Sequence, residues 1–498
     1  MNILLLSMPD SFEHMPVIAV RMPNGALCSL AGNVDPHHHI AVADLILVQD
    51  RVRATLEQLV REHAPQVVGL SIMTFQRRTA LKIVQVVRSL QPDVKIVVGG
   101  YDPSLAPQAY MQADSGVDFI VRGEGELTFR ELLRALEGNV ALSDIVGLSF
   151  RAAGHGWHEN PDRPVHNLEG DEIRLPRRDV RVLSGYTMLG RKVDVVETSR
   201  GCTFDCGFCS IIEMRGRNFH TYSFERVLAD IRDAREHGAR CIFLVDDNIT
   251  LNIKRFEALC QAIIDGGLND LDYMVQAMTS PIAMHGETLA PLMRKAGFRY
   301  VFLGIENILE EDLNFLKAAA KNEFREAGRR TGNATLRAIE YLRKNKMLVV
   351  GGLIIGNPDD TPESVQANIE FARKYVDWPY IQHPTPYPGT PMTRDFRARG
   401  LIQIDRLEEY DGTTAVIATP HIAPQEIEYQ RWRAERWMKV RHIPSLLSHD
   451  LLFVLRTLPK MLTFNFRGST LKSMLGLESD WAAFQRYRAL RNSERVYL

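Results

Sequence analysis

The chain has 498 residues, 45% of them hydrophobic and 24% charged, with a formal net charge of −1. That length exceeds one ordinary hydrophobic core, so at least two domains are expected, and the neutral balance gives no global case for a nucleic-acid partner. No apolar run approaches the roughly 18 to 20 residues of a membrane span, and the first apolar run, Ile3–Leu6, lacks the basic region and cleavage site of a signal peptide. A cytoplasmic chain is the expectation.

Residues 1 to about 145 alternate strand-like apolar runs with helical patterns: Ile3–Leu6, Val67–Ile72, Lys95–Val98 and Phe119–Val121. The pattern predicts a doubly wound, Rossmann-like α/β domain. Ser71 and two glycine turns, Gly99–Gly100 and Gly123–Glu124–Gly125–Glu126, stand at predicted strand C-termini, where open parallel sheets bind ligands. His37, His38 and His39 precede another strand-like run without acidic or thiolate company in the sequence, so they read as structural or exposed.

Residues 146–190 turn polar and irregular and read as a linker. A second α/β series follows over 191–400, with strands expected at Val193–Val196, Cys241–Val245, Tyr273–Ala277, Tyr300–Leu303, Val349–Ile355 and Tyr380–His383. Six such strands suit a partial parallel barrel. The stretch between Glu310 and Arg343 reads as helical and longer than a minimal crossover.

Residues 401–498 are expected to be helical, with helices over Gln425–Arg441, Ser445–Leu458 and Asp480–Ser493. From Arg431 to Leu498 there are thirteen Lys or Arg against five Asp or Glu, a local net of +8. In Ser445–Leu458 the residues Leu447, Leu451, Val454, Leu455 and Leu458 share one face. Packing of that face on the barrel is the first expectation and peripheral contact with a membrane surface the second.

Six cysteines in so long a chain make no disulfide framework, and Cys202, Cys206 and Cys209 lie within eight residues of one another. Three close thiolates at a strand's C-terminal end suit iron–sulfur or zinc. Zinc would need a fourth ligand, for which His220 is available, but the paired C-x2-C elements of structural zinc sites are absent. Cys28, Cys241 and Cys260 stand alone and read as buried apolar residues.

The spacing Cys202-x3-Cys206-x2-Cys209, with Phe208 before the last cysteine, resembles the signature of radical S-adenosylmethionine enzymes. That resemblance implies a [4Fe–4S] cluster with one iron left open for S-adenosylmethionine, and an external reductant such as flavodoxin or ferredoxin. Gly352-x-Ile354-x-Gly356-x-x-Asp359 is similar to the family's adenine strand, with Asp in place of Glu. Asp246, Asp247 and Asn248, with Glu306 and Asn307, fall at strand ends where the family keeps polar groups for the cofactor, and helix capping is the competing role of each.

Ser71 with the two glycine turns resembles the B12-binding domain that precedes many such barrels, and Thr385-Pro-Tyr-Pro-Gly-Thr-Pro391 and the stretch from Arg215 to Ile231 resemble elements of the same cobalamin-dependent enzymes. The implied architecture is an N-terminal Rossmann-like cobalamin domain, a partial (β/α)6 barrel and a C-terminal helical region. The Asp-x-His-x-x-Gly motif that supplies a lower axial histidine is missing, so base-off cobalamin without histidine ligation is implied. The implied reaction is C-methylation through a 5′-deoxyadenosyl radical and methylcobalamin, on a small-molecule or lipid substrate. A cyclase or rearrangement enzyme with the same cofactors is the alternative, and a non-catalytic B12 and iron–sulfur sensor the rival from another class.

Overall fold

In this computed structural model the residues described are 1–12, 20–152, 156–170, 172–188, 190–326, 329–441, 451, 455, 459, 470–493 and 497–498. Near-continuous apolar runs bounded by polar turns form strands buried on both faces, as a parallel sheet between helices requires. The strands Asn2–Ser7, His39–Asp44, Val67–Ser71, Lys95–Gly99 and Phe119–Val121 pair in parallel. Chain order is broken at the first strand, which lies between His39–Asp44 and Val67–Ser71. A reversal of this kind opens a crevice at the strands' C-terminal ends.

The first sheet does not stop where the sequence pattern fades. Leu148–Ala152 and Gly156–Glu159, inside the stretch read as a linker, extend it by two antiparallel strands. The rest of that stretch is pinned to the barrel by Arg178, a buried side chain that donates to Asp194 at 3.1 Å, Asp230 at 2.6 Å and Asp233 at 2.7 Å.

The second sheet is a half-barrel of six parallel strands, Arg191–Val196, Cys241–Leu244, Asp272–Met278, Phe298–Glu306, Leu348–Ile354 and Trp378–Gln382. All six lie where the apolar runs predict. Thr187–Met188 joins its first edge and pairs in turn with Val20–Arg21, so the N-terminal segment supplies a strand to the barrel sheet. The predicted helix between Glu310 and Arg343 is three short pieces instead. Helices Glu310–Phe315 and Ala319–Asn322 lead into an antiparallel hairpin, Glu323–Glu326 with Arg329–Asn333, before the helix Ala334–Lys344.

Helices Pro424–Arg441 and Asp480–Ser493 follow the sequence expectation. The last of these is locked down by Arg491, a fully buried guanidinium within 3.7 Å of Glu428 and 3.9 Å of Glu409. Most of Ser445–Leu458, Leu447, Val454 and Leu458 included, lies outside the described residues. Leu451 and Leu455 are helical and 55% and 58% exposed, so these two do not pack on the barrel.

One close approach sets how the linker lies on the first domain. A Cβ on Gly32, in the helix Gly25–Asn33, would sit 1.9 Å from the Leu175 carbonyl oxygen. Backbone cannot yield cheaply to such a contact, so Gly32→Ala is expected to destabilise the N-terminal domain by about 3 kcal/mol. Calorimetry reads this as a lowered first unfolding transition; an unchanged transition would contradict the packing.

Candidate functional site

The cysteine loop leaves the barrel after the first strand and is shaped before any metal is considered. Ser199–Arg200 pairs with His220–Thr221, which closes the loop at its base. Gly201 has φ +91°, and a Cβ there would meet the Asn218 carbonyl oxygen at 2.5 Å, so only glycine fits beside the first cysteine. Within the loop the Cys209 amide donates to the Cys206 carbonyl at 3.1 Å, and Gly207 bonds to the Leu316 carbonyl at 3.0 Å. Cys209 then caps the helix Ser210–Arg215.

Burial pushes the Cys206 thiol up and the Cys209 thiol up to about 12, so thiolates at these positions need the positive charge of a bound metal. Among the described residues the one set of three ligand atoms within 4.8 Å of each other is at His37, His38 and Glu137. Three thiols on one loop suit an iron–sulfur cube with one iron left for another ligand.

Strand ends around this loop carry the polar groups. Asp247 accepts from the Gly201 amide at 2.8 Å and from Arg215 at 2.9 Å, which ties the loop to the second barrel strand. Asp246 accepts from the Thr198 amide at 2.7 Å and the Ser199 hydroxyl at 2.5 Å; burial outweighs these bonds and raises its carboxyl to about 6. Asn248 lies 3.7 Å from the Cys202 sulfur. Glu306, with φ +61°, receives the Lys321 ammonium at 2.8 Å, and Lys321 stands 5.6 Å over the Phe208 ring. Burial opposes the Lys321 charge, but Glu306 and the thiols hold its pKa well above the ordinary value.

On the adenine-type strand, Gly352 leaves no room for a side chain, because a Cβ would lie 2.8 Å from the Phe302 ring. Ile354 is buried, and Gly356 has φ +86°. Asp359 does not join the site: its side chain is 80% exposed and faces Arg399 at 3.5 Å. Its neighbour Asp360 turns inward and accepts from the Gly356 and Asn357 amides at 2.7 and 2.8 Å, so the carboxylate that shapes this turn is one residue later than the motif alignment gives.

Across from the barrel mouth stand the glycine turns of the first sheet. Gly100 has φ +100°, and a Cβ would lie 2.9 Å from the Ile72 carbonyl oxygen; Gly123 has φ +72° and open space around it. Ser71 accepts from Asn24 at 3.1 Å, and Gly99 lies beside the Val121 carbonyl. Gly125 opens the helix Gly125–Leu136, with Glu124 at its N-cap accepting from the His166 amide at 3.1 Å. Glu126 was expected to meet a cofactor, but its carboxylate is taken by Ser29 at 2.7 Å and Arg200 at 2.6 Å, a charge contact between the first domain and the cysteine loop.

The glycine turns line a cavity of about 1320 Å³ that runs from Ser71, Gly99, Gly100 and Gly123, past Arg200, Met214 and Arg215 on either side of the cysteine loop, to the barrel interior at Gln276 and Phe302; the three cysteines, Glu306 and Lys321 do not line it. Among the described residues its lining contains no histidine. Sequence reasoning missed Lys321, Arg200 and Tyr101. Tyr101 lines the cavity beside Gly100, and burial raises its phenol pKa, with the Asp247 charge adding to the rise. The signal for Arg200 was its place directly before the cysteine loop; Lys321 lay in a segment read only as helical. The structure also gives His37 an acidic partner that its surroundings in sequence lack, Glu137 at 2.9 Å.

Residues 18–133 match the B12 binding domain family and residues 196–372 the radical SAM superfamily. An uncharacterized methyltransferase of Pyrococcus horikoshii is 30% identical over 429 residues, which span 86% of this chain and 90% of the relative. An anaerobic magnesium-protoporphyrin IX monomethyl ester cyclase of Synechocystis is 25% identical over 449 residues, 89% of this chain and 85% of the relative. Among solved structures, the radical S-adenosylmethionine methyltransferase TsrM of Kitasatospora setae, with tryptophan and a SAM analogue bound, superposes with a TM-score of 0.65 at 22% identity, over 80% of this chain and 76% of that one. With a glycine-edged first sheet facing a cysteine-bearing half-barrel, and with a relative at this identity over nearly its whole length, the chain belongs to the radical S-adenosylmethionine enzymes that carry a B12-binding domain, its cofactors being a [4Fe–4S] cluster, S-adenosylmethionine and cobalamin.

Proposed function

We propose that this enzyme methylates a carbon atom of a substrate held in the cavity between the two sheets. The observation that supports this is one continuous cavity that joins the glycine turns of the first sheet to the barrel interior and passes Arg200, Met214 and Arg215 beside the cysteine loop. When bound, the cofactors supply a 5′-deoxyadenosyl radical to activate the substrate and a methyl group on cobalt to complete it. Residues 1–145 serve the cobalamin, 191–400 the cluster and S-adenosylmethionine, and the helices of 401–498 close the barrel.

The chain's own residues bind and orient. Cys202, Cys206 and Cys209 hold three irons. Lys321 and Glu306 form an opposed pair that matches a zwitterion: the ammonium of Lys321 faces an α-carboxylate and the carboxylate of Glu306 an α-amino group. Asp247 fixes the loop, and Gly352, Ile354 and Gly356 leave a flat, apolar edge for adenine. Gly99, Gly100 and Gly123 let a corrin approach the backbone. An external one-electron donor such as flavodoxin or ferredoxin completes the cycle, and the exposed Leu451 and Leu455, in a segment of local charge +8, support peripheral contact with anionic lipid.

The test uses the anaerobically reconstituted holoenzyme with methyl-deuterated S-adenosylmethionine. Methyl transfer yields 5′-deoxyadenosine, S-adenosylhomocysteine and a product heavier by one labelled methyl in place of hydrogen. The cyclase reading, which the Synechocystis relative favours, gives 5′-deoxyadenosine and a product without the label. Lys321→Met is expected to raise the KM for S-adenosylmethionine at least about tenfold, the loss of one charge-assisted contact.

A further inference from the structure

The half-barrel is hollow to its floor, and its register shows what lines it. Val195, Phe243, Met274, Tyr300 and Leu348 stand side by side across five strands. Two residues nearer the mouth, Gln276, Phe302, Val350 and Trp378 form the next layer. The alternate positions Tyr273, Val275, Val301, Leu303 and Val349 are fully buried against the outer helices, so the two layers face inward. All nine line the cavity and none carries a charge; Glu197, two places on from Val195, lines it as well, with its carboxylate paired to Arg200 at 2.8 Å.

At the third layer Gly304 and Gly352 are paired next to Tyr380, and the Phe302 ring lies over Gly352, so Phe302 and Tyr380 rather than the glycines line the cavity there. From Val350 back to Leu348 these two layers are about 7 Å deep, room for about five methylene groups in line. The helix Pro424–Arg441 supplies Trp432 to the lining and Asp480–Ser493 supplies Tyr487. Charges at that end are neutralised within the protein, since Arg436 donates to Asp480 at 2.7 Å and Arg431 lies 3.3 Å from Glu435.

We infer that the substrate carries an uncharged hydrocarbon chain, prenyl or acyl in type, that inserts into this lumen and leaves its reacting carbon toward Met214 and Arg215, where the cavity passes the cysteine loop. The inference rests on the methyl-transfer reading for which carbon reacts, and on the lumen for the class of molecule. A zwitterionic amino acid or a nucleotide would leave its charges facing Phe302, Val350 and Met274, at a desolvation cost that nothing in these layers repays. An alkyl chain loses water on every side, and the aromatic walls give it close contacts.

Equilibrium dialysis of the holoenzyme against tritiated farnesol and, separately, tritiated dodecanol tests the inference without turnover. Saturable binding of one molecule per chain to either alcohol is expected, with farnesol favoured by a prenyl site and dodecanol by an acyl site. Val350→Trp fills the lumen and is expected to weaken binding at least tenfold while the cluster and cobalamin absorbance persist. If that variant loses its cofactors, Leu348→Phe, a smaller filling at the floor, serves in its place with the same expectation. Absence of saturable binding to both alcohols, or binding unaltered in a lumen-filled variant that keeps its cofactors, would overturn it. So would displacement of the bound alcohol by tryptophan or cytidine monophosphate at equal concentration. Alcohol binding without methyl transfer would leave the hydrocarbon substrate standing and remove the methylation reading; methyl transfer to a charged molecule without alcohol binding would do the reverse.

Discussion

Cys206→Ala is expected to take the reconstituted protein from about four irons per chain to less than one and to lower 5′-deoxyadenosine formation at least about a thousandfold. Cys206 is the least exposed of the three cysteines, at 5%, and its carbonyl accepts from the Cys209 amide, so its loss removes a ligand from the enclosed centre of the loop. Cys202→Ala and Cys209→Ala are expected to do the same, because each thiolate holds a separate iron. Iron content, the cluster's visible absorbance and deoxyadenosine by chromatography are the three readings. Zinc at one equivalent with iron absent in the wild-type protein, or full iron in any single variant, would remove the cluster assignment.

The half-barrel and the cysteine loop were legible because their information is local. Parallel strands covered on both faces must be almost wholly apolar, and Leu348–Ile354 or Cys241–Leu244 can hardly be read otherwise. What escaped depends on contacts that spacing does not encode. The hairpin Glu323–Glu326 with Arg329–Asn333 is built from Glu, Arg, Lys-flanked and Asn positions that favour helix or turn, and only its pairing makes it sheet. Lys321 enters the site because that hairpin and the short helix before it replace a continuous helix. Asp359 and Asp360 differ by one place in sequence and by exposure to water against a bond to the Gly356 amide, a distinction that only the turn's geometry makes. Glu126 was read with the glycines around it, yet its partner Arg200 is 74 positions away in another domain.

That last pair carries the largest stability effect expected outside the cluster. Glu126 and Arg200 are 6% and 5% exposed, and Arg200 also meets Glu197 at 2.8 Å and Glu124 at 3.4 Å. Burial alone would raise the Glu126 carboxyl, but the Arg200 charge and hydrogen bonds, with Ser29, bring it from 4.5 to about 2. A carboxyl lowered on folding adds stability that is fully present above its unfolded pKa and is lost as pH falls through the folded one. The window is therefore about pH 4.5 down to 2, and the contribution above it is about 3 kcal/mol.

Removing one partner costs more than the pair is worth, since the other charge stays buried. Arg200→Met, which strands three carboxylates, is expected to destabilise by about 4 kcal/mol, Glu126→Gln by about 3, and the two together by less than their sum. Because this contact joins the Gly123–Glu126 turn to the residue before the cysteine loop, the single variants are also expected to release cobalamin at denaturant concentrations where the wild-type protein retains it. Urea unfolding at pH 7 and pH 3, followed by calorimetry and by the cobalamin spectrum, reads both effects. An Arg200→Met protein within 1 kcal/mol of wild type, or one whose deficit is as large at pH 3 as at pH 7, would show that the two domains are held together by other contacts.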